Sequence, residues 1–257
     1  MPAKVKILVE GSTNADTVAE TGEERTRPTI SLVRDGGVVM VVDPGTLESQ
    51  QILVDALKSE GLNVEDVNIV CITHSHVDHY RNVGMFQKAK TLEFYGLWKK
   101  ESVEDWPEQF SPHIRVLKTP GHDYTGITLF VTTDKGIVAI CGDVFWRENY
   151  PKEAGDDAFA SNVAELEKSR ETILGTADWI VPGHAGIFKV KKKPIGGATN
   201  GVAGAKKKKK KVVVFCKKCK RAFDDPHDSC ICRPWLCYRC CECEMDCNTC
   251  SCSHRKK

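Results

Sequence analysis

The stretch "ITHSHVDHYRN" (72–82) puts three histidines and an aspartate at positions 74–79, directly after an apolar, β-branched run. Eight histidines occur in the chain, and chance seldom crowds three of them at 74, 76 and 79. Side chains of an extended chain alternate with period two, so His74, His76 and Asp78 share one side. His79 departs from that spacing and reaches a different point if the chain curls into a helix. One loop can thus serve two metal positions. Further donors stand where Gly and Pro break strand-like runs and turn a side chain outward: His122 in "KTPGHDYTG", Asp143 in "AICGDVFW" and His184 in "WIVPGHAGIF". The set divides into His74, His76 and His122 around one metal, Asp78, His79 and His184 around a second, and Asp143 between them.

Two dications a few ångströms apart supply what no side chain does at neutral pH, because metal binding lowers the pKa of water from about 15.7 to about 7. A metal-bridging hydroxide is the expected nucleophile. Asp78, ligand and hydrogen-bond acceptor, is expected to orient it and receive its proton, and Asp143 to set the metal separation. Asp43 in "VVDPG" is either a turn residue or the group that holds a ligand histidine's other ring nitrogen. Cys71 and Cys141 read as buried small hydrophobes, Cys141 pointing the same way as Asp143 two residues on. His113 and Tyr124 are given no catalytic role. Zinc is the expected ion at both catalytic positions, with iron and manganese also served by His and Asp ligands.

The H-x-H-x-D-H of 74–79, followed by His122, Asp143 and His184 in that order, resembles the metallo-β-lactamase fold hydrolases over roughly residues 1 to 190. The resemblance implies an αββα sandwich with its metal ligands gathered at one rim. It also implies a metal-dependent hydrolase, and a family member acting on RNA is among those most similar. Only 40 residues separate Asp143 from His184, too few for the large inserted domain of the family's RNA-cleaving β-CASP branch.

The elements that must position these donors follow the same pattern. "VKILVEG", "TISLVRD" and "GVVMVVDPG" read as strands, the last two joined at a Gly-containing turn. "ESQQILVDALKSEG" puts Ile52, Leu53, Ala56 and Leu57 on one helical stripe ending at Gly61. "VNIVCIT" reads as a strand covered on both faces. Further strands are expected around 90–95, 114–118, 127–133 and 137–142, a helix near 160–175 and a last strand at 178–181. This is an α/β (α+β) pattern of two sheets with helices outside.

Net charge +2 conceals a division within the 257 residues. Residues 1–188 hold 18 Lys and Arg against 29 Asp and Glu, or −11, and residues 189–257 hold 19 against 6, or +13. Eleven of the 13 cysteines lie between 216 and 252. The chain accordingly reads as a hydrolase domain (1–190), a Lys/Gly-rich flexible linker (191–211) and a Cys-rich zinc-binding tail (212–257). No run of 18 apolar residues occurs, and "MPAKVKILVEG" reads as a first strand, so a soluble, cytoplasmic protein in a reducing compartment is expected. There C-x-x-C pairs bind zinc rather than form disulfides. Cys216, Cys219, Cys237 and Cys240 form C-x2-C, 17 residues, C-x2-C, within the zinc-ribbon range. One to three structural zinc ions are expected in all, and a metallothionein-like cluster of shared thiolates is the other arrangement the spacing allows.

Six consecutive lysines at 206–211 beside a zinc module suit phosphate neutralisation, so nucleic acid is the expected partner and a phosphodiesterase or ribonuclease the expected activity. A small-molecule thioesterase or esterase, glyoxalase II-like or β-lactamase-like, is the rival enzyme. An adaptor working through its zinc tail, with a vestigial hydrolase body, is the rival from another class. The tail's low apolar content leaves cross-links to hold any fold it has. Isolated residues 212–257 should therefore carry two or three zinc ions and unfold on chelation, and recovery of this segment metal-free and disulfide-bonded after anaerobic purification from cytosol would refute it.

Overall fold

Period-two alternation of β-branched and apolar residues builds two sheets, and the computed structural model describes residues 2–17, 22–191, 214–215 and 222–223. In chain order the elements are β1 (Lys4–Val9), β2 (Ser12–Thr13), β3 (Thr26–Arg27), β4 (Ile30–Asp35), β5 (Val38–Val42), α1 (Gln50–Ser59) and β6 (Ile69–Cys71). There follow α2 (Val77–Tyr80), β7 (Lys90–Glu93), β8 (Gly96–Lys99), β9 (Ser102–Glu104), β10 (Gln109–Ser111), β11 (Ile114–Lys118), β12 (Ile127–Thr133) and β13 (Gly136–Ile140). Last come α3 (Val163–Thr176), β14 (Trp179–Val181) and β15 (Phe188–Lys189). Seven strands form the first sheet in the order β1-β4-β5-β6-β7-β8-β9, and six form the second in the order β10-β11-β12-β13-β14-β15.

The inner faces bury one apolar layer, with Val33, Met40, Val42 and Cys71 of the first sheet in a single cluster with Val116, Leu129 and Ile140 of the second. Leu53 and Leu57 of α1 cover the outer face of the first sheet over Leu32, Val41 and Val70. Leu166 and Ile173 of α3 cover that of the second over Phe130, Ala139 and Ile180. This is the αββα sandwich. Side chains one and two turns apart on each helix bury a single stripe, which is why α1 docks through residues 53 and 57. Ile52, expected on that stripe, is 39% exposed, because it lies a third of a turn to one side of the two anchors. The strands β8, β9, β10 and β15 were not foreseen. "GLWKKESVEDW" lacks clean alternation, and all three residues of β9 are exposed, so pairing at the sheet edge orders them rather than burial.

β16 (Val214–Phe215) and β17 (Ala222–Phe223) pair antiparallel, with Val214 opposite Phe223, and flank Cys216 and Cys219 in the sequence. The other residues assigned to the linker and the Cys-rich tail, Cys237 and Cys240 included, lie outside the described residues apart from Lys191.

Opposite the metal-ligand rim, Asp35 ties the two sheets together. His113 N–H donates to its Oδ2 over 2.9 Å, the Ser111 hydroxyl donates to the same oxygen, and His113 Nδ1 lies 2.7 Å from Oδ1. Burial pushes the Asp35 carboxyl up, but the Ser111 and His113 hydrogen bonds outweigh it and hold the group below its ordinary 3.8. A carboxyl with a depressed folded value stabilises the fold above its unfolded pKa and loses that contribution as pH falls through the folded one. Asp35→Ala should therefore lower stability by about 1–3 kcal/mol at pH 7. In urea titrations the gap between variant and parent should narrow steadily as pH drops from 5 to 3.

Candidate metal centre

The loops after β6, β11, β13 and β14 meet at one rim, joined there by a hydrogen bond from Ile127 N–H to Thr73 O of 2.8 Å. After β6 the chain runs extended through His74 and His76, then closes the single turn α2, in which His79 N–H donates to His76 O over 3.0 Å. That turn swings Asp78 and His79 to a second position. Gly142, at φ 50°, ends β13, and the short 3-10 turn Gly142–Val144 carries Asp143 into the rim. Cys141 instead packs with Phe145 and Leu166, so the shared direction expected for Cys141 and Asp143 is lost at this left-handed glycine. A Cβ at Gly183 would overlap Asp143 Oδ1, so only glycine lets the His184 loop approach this closely.

Two sets of donor atoms result: His74, His76, His122 and Asp143 in one, Asp78, His79 and His184 in the other, with the atoms of each set within 4.8 Å of one another. Asp143 reaches both. Its Oδ2 lies 3.0 Å from His184 Nε2, 3.4 Å from His122 Nε2 and 3.8 Å from His74 Nε2, and its Oδ1 lies 3.3 Å from His79 Nε2. Asp78 Oδ2 is 3.6 Å from His79 Nε2 and 3.7 Å from His184 Nε2.

The outer partners decide which ring nitrogen faces inward. Carboxylates and carbonyls only accept, so Nδ1 carries the proton where it meets Asp43 Oδ2 (His79, 2.9 Å), Asp157 Oδ2 (His122, 2.7 Å) or Arg27 O (His184, 2.9 Å). Thr73 Oγ1 spends its proton on Asp43 Oδ2 at 2.7 Å, leaving a lone pair for His74 Nδ1 at 3.1 Å. Four imidazoles thereby aim Nε2 lone pairs into the cluster. His76 is turned round: its Nδ1 lies 3.1 Å from His122 Nε2, and its Nε2 lies 3.8 Å from Asp123 Oδ2.

Such a site fits a cation. His74 Nε2, His79 Nε2 and Asp143 Oδ1 are buried without a hydrogen-bond partner, the last two 3.3 Å apart without hydrogen-bond alignment. Each would cost about 1–3 kcal/mol if left unsatisfied. Burial pushes the His79 and His184 imidazoles down, but the carboxylate of Asp143 outweighs it and holds both above their ordinary range. Burial pushes the Asp143 carboxyl up, and His184 and His79 reverse this and hold it well below the usual carboxylate range. Burial, with the neighbouring imidazoles, holds His74 well below and His76 below the ordinary imidazole range. The pocket thus calls for positive charge, met by protons or by metal ions.

Asp43 stands at φ 50° at the end of β5 and accepts from Thr73 N–H over 2.8 Å as well as holding His79. Asp123 and Asp157 had no sequence signal to separate them from other loop acids. Asp157 comes from the segment before α3, 35 residues after His122. Asp123 accepts from Thr125 N–H over 2.8 Å and from Ser75 Oγ over 3.2 Å. Above the donors opens a cavity of about 70 Å³ walled by Thr26, Trp146 and Phe159.

A two-sheet sandwich with a rim of five imidazoles sharing one buried carboxylate defines a class, the metal-dependent hydrolases of the metallo-β-lactamase fold. The metallo-beta-lactamase superfamily model matches residues 25–101. Metallo-beta-lactamase domain-containing protein 1 of Xenopus laevis is 30% identical over 205 residues, covering 74% of this chain and 83% of that protein. The protein of that name from Mus musculus is 32% identical over 165 residues, covering 61% of this chain. The chain spans 63% of the mouse relative's length. A putative metallo-beta-lactamase from Thermotoga maritima superposes with a TM-score of 0.59 at 21% identity, over 74% of this chain and all of that one. AidC, a dizinc quorum-quenching lactonase, does so at 0.53 and 13%, over 76% and 90%. The chain belongs to the metallo-β-lactamase superfamily of metal-dependent hydrolases.

Asp157→Asn should keep the fold and weaken metal binding by about 10- to 100-fold, since outer partners of ligand histidines carry effects of that size. Competition with a chromophoric chelator would measure it.

Proposed function

We propose that the chain is a binuclear zinc hydrolase that cleaves phosphodiesters in nucleic acid. His74, His76 and His122 would hold one ion and Asp78, His79 and His184 the other, with Asp143 shared; the convergence of both donor sets on Asp143 carries this reading. When bound, the two ions would supply a hydroxide nucleophile at neutral pH and polarise the electrophile. The remaining steps fall to side chains. Asp78 is the most accessible carboxylate of the two donor sets, with the Thr26 hydroxyl 3.4 Å from its Oδ2, and is placed to accept the nucleophile's proton. Trp146 and Phe159 wall the cavity and limit water.

The nucleic-acid part of the proposal rests on charge. Residues 1–188 carry −11 and cannot hold a polyanion alone, whereas residues 189–257 carry +13. The linker and tail, with zinc on their cysteines, would deliver the strand. A second reading, a small ester or thioester, is favoured by the small size of the aromatic-walled cavity.

Full-length protein should hydrolyse bis(p-nitrophenyl) phosphate, and His76→Ala or Asp143→Ala should abolish turnover. Removing residues 191–257 should raise KM for RNA or DNA at least tenfold and leave the small diester unaffected. Six lysines would give a salt slope of up to about −4 for single strands. A thioester outrunning every phosphodiester with both the full-length and the truncated protein would transfer the assignment to the second reading.

A further inference from the structure

Beside the metal centre lies a second cavity, of about 280 Å³, between the β7–β8 turn and the loop that carries His122. Four of its nine lining residues are aromatic, Tyr80, Phe94, Tyr95 and Tyr124, against one aliphatic side chain, Ile72. Tyr95 and Tyr124 stand 59% and 60% exposed, an unusual setting for two large rings on neighbouring loops. Phe94 packs edge-on against Tyr95 at 5.2 Å and carries the Lys118 ammonium 4.0 Å from its ring. Polar groups on the remaining wall come from Glu93, whose carboxylate accepts from Tyr95 N–H and Trp98 Nε1, and from Ser75 and Thr125, the residues whose hydroxyls bond Asp123, which in turn faces His76. His74 itself lines the cavity, so an occupant would sit one side chain from the donor cluster.

We propose that this cavity is a nucleobase subsite, in which a base flanking the scissile phosphate stacks on Tyr95 and Tyr124. The proposal rests on the phosphodiester reading and gives it a recognition element within the acidic body. An acyl chain prefers aliphatic walls, whereas exposed ring faces with hydroxyls at their edges suit a flat, polar heterocycle. Stacking on aromatic side chains also accepts any base, because every base has a π-face. It needs no positive charge from the body. Tyr124 lies two residues after His122 and Tyr80 one after His79, so the loops that present the ligands also present the rings.

Metal-loaded full-length protein would be tested with AMP, UMP and ribose 5-phosphate as inhibitors of small-diester hydrolysis, and by saturation-transfer NMR for direct binding. The nucleotides should bind about tenfold more tightly than the base-free phosphate, within the range of base–aromatic stacking. Saturation should appear on the base protons. Tyr95→Ala combined with Tyr124→Ala, at exposed positions that the fold does not depend on, should erase the difference and leave binding of ribose 5-phosphate unchanged. Circular dichroism and metal content would confirm that the double variant folds. Equal binding of nucleotide and ribose 5-phosphate to the parent, or an undiminished preference in the double variant, would overturn the subsite. If no phosphodiester is turned over, the activity reading fails by itself, and the NMR comparison still decides whether the cavity takes a base.

Discussion

Everything at the rim depends on one buried carboxylate. Asp143 lies within 3.8 Å of ring nitrogens from four histidines on three different loops, in surroundings where an isolated anion would be very costly. That cost is offset only by positive charge at the same point. The protons drawn onto His79 and His184 and the metal ions the donors suit are alternative ways to provide it. Loop geometry follows from this requirement: Gly142 turns left-handed to bring Asp143 in, and Gly183 lacks the Cβ that would collide with it.

Around the donors stands a ring of partners that fixes four of the five imidazoles in the cluster. Asp43, Thr73, Asp157 and the Arg27 carbonyl each take up an outward nitrogen, so the inward lone pairs have one orientation and one tautomer. These partners come from β3, the end of β5, the start of the first ligand loop and the segment before α3. The first sheet, the β2–β3 pair and the segment before α3 therefore have to be in place before the site has its geometry.

Charge is distributed along the chain in the opposite sense to chemistry. Residues 1–188, which hold both donor sets, are acidic, and residues 189–257 are basic. On the proposed nuclease reading, such a body would gain little from long-range attraction of a polyanion, and the contacts open to it would be short-range ones: metal coordination of phosphate and stacking of bases on exposed rings. The aromatic cavity next to His74 is the described feature proposed for the second.

Much of this was written in residue type and spacing. The crowding of histidines at 74–79, their period-two and helical offsets, and the Gly/Pro interruptions before His122, Asp143 and His184 named every donor in the two sets, because metal ligation demands rare side chains at strand ends. Alternation likewise disclosed β4, β5, β11 and β12, whose burial is strongly one-sided or complete. Edge strands β9 and β10 stayed hidden, since sheet pairing orders residues that are partly or fully exposed and leaves no hydrophobic period, and β8 beside β9 buries only Gly96 and Leu97. Asp123 and Asp157 were equally invisible. A carboxylate that orients a histidine from 35 residues away looks like any other loop acid until the chain folds back. Tyr95 and Tyr124 are likewise ordinary aromatics in sequence, 29 residues apart, and only the packing of the β7–β8 turn against the His122 loop makes them two walls of one cavity. Sequence determines which groups can bind a metal, because that is a property of each side chain. Tertiary structure decides which of the remaining groups aim them, because that depends on distances that no local pattern encodes.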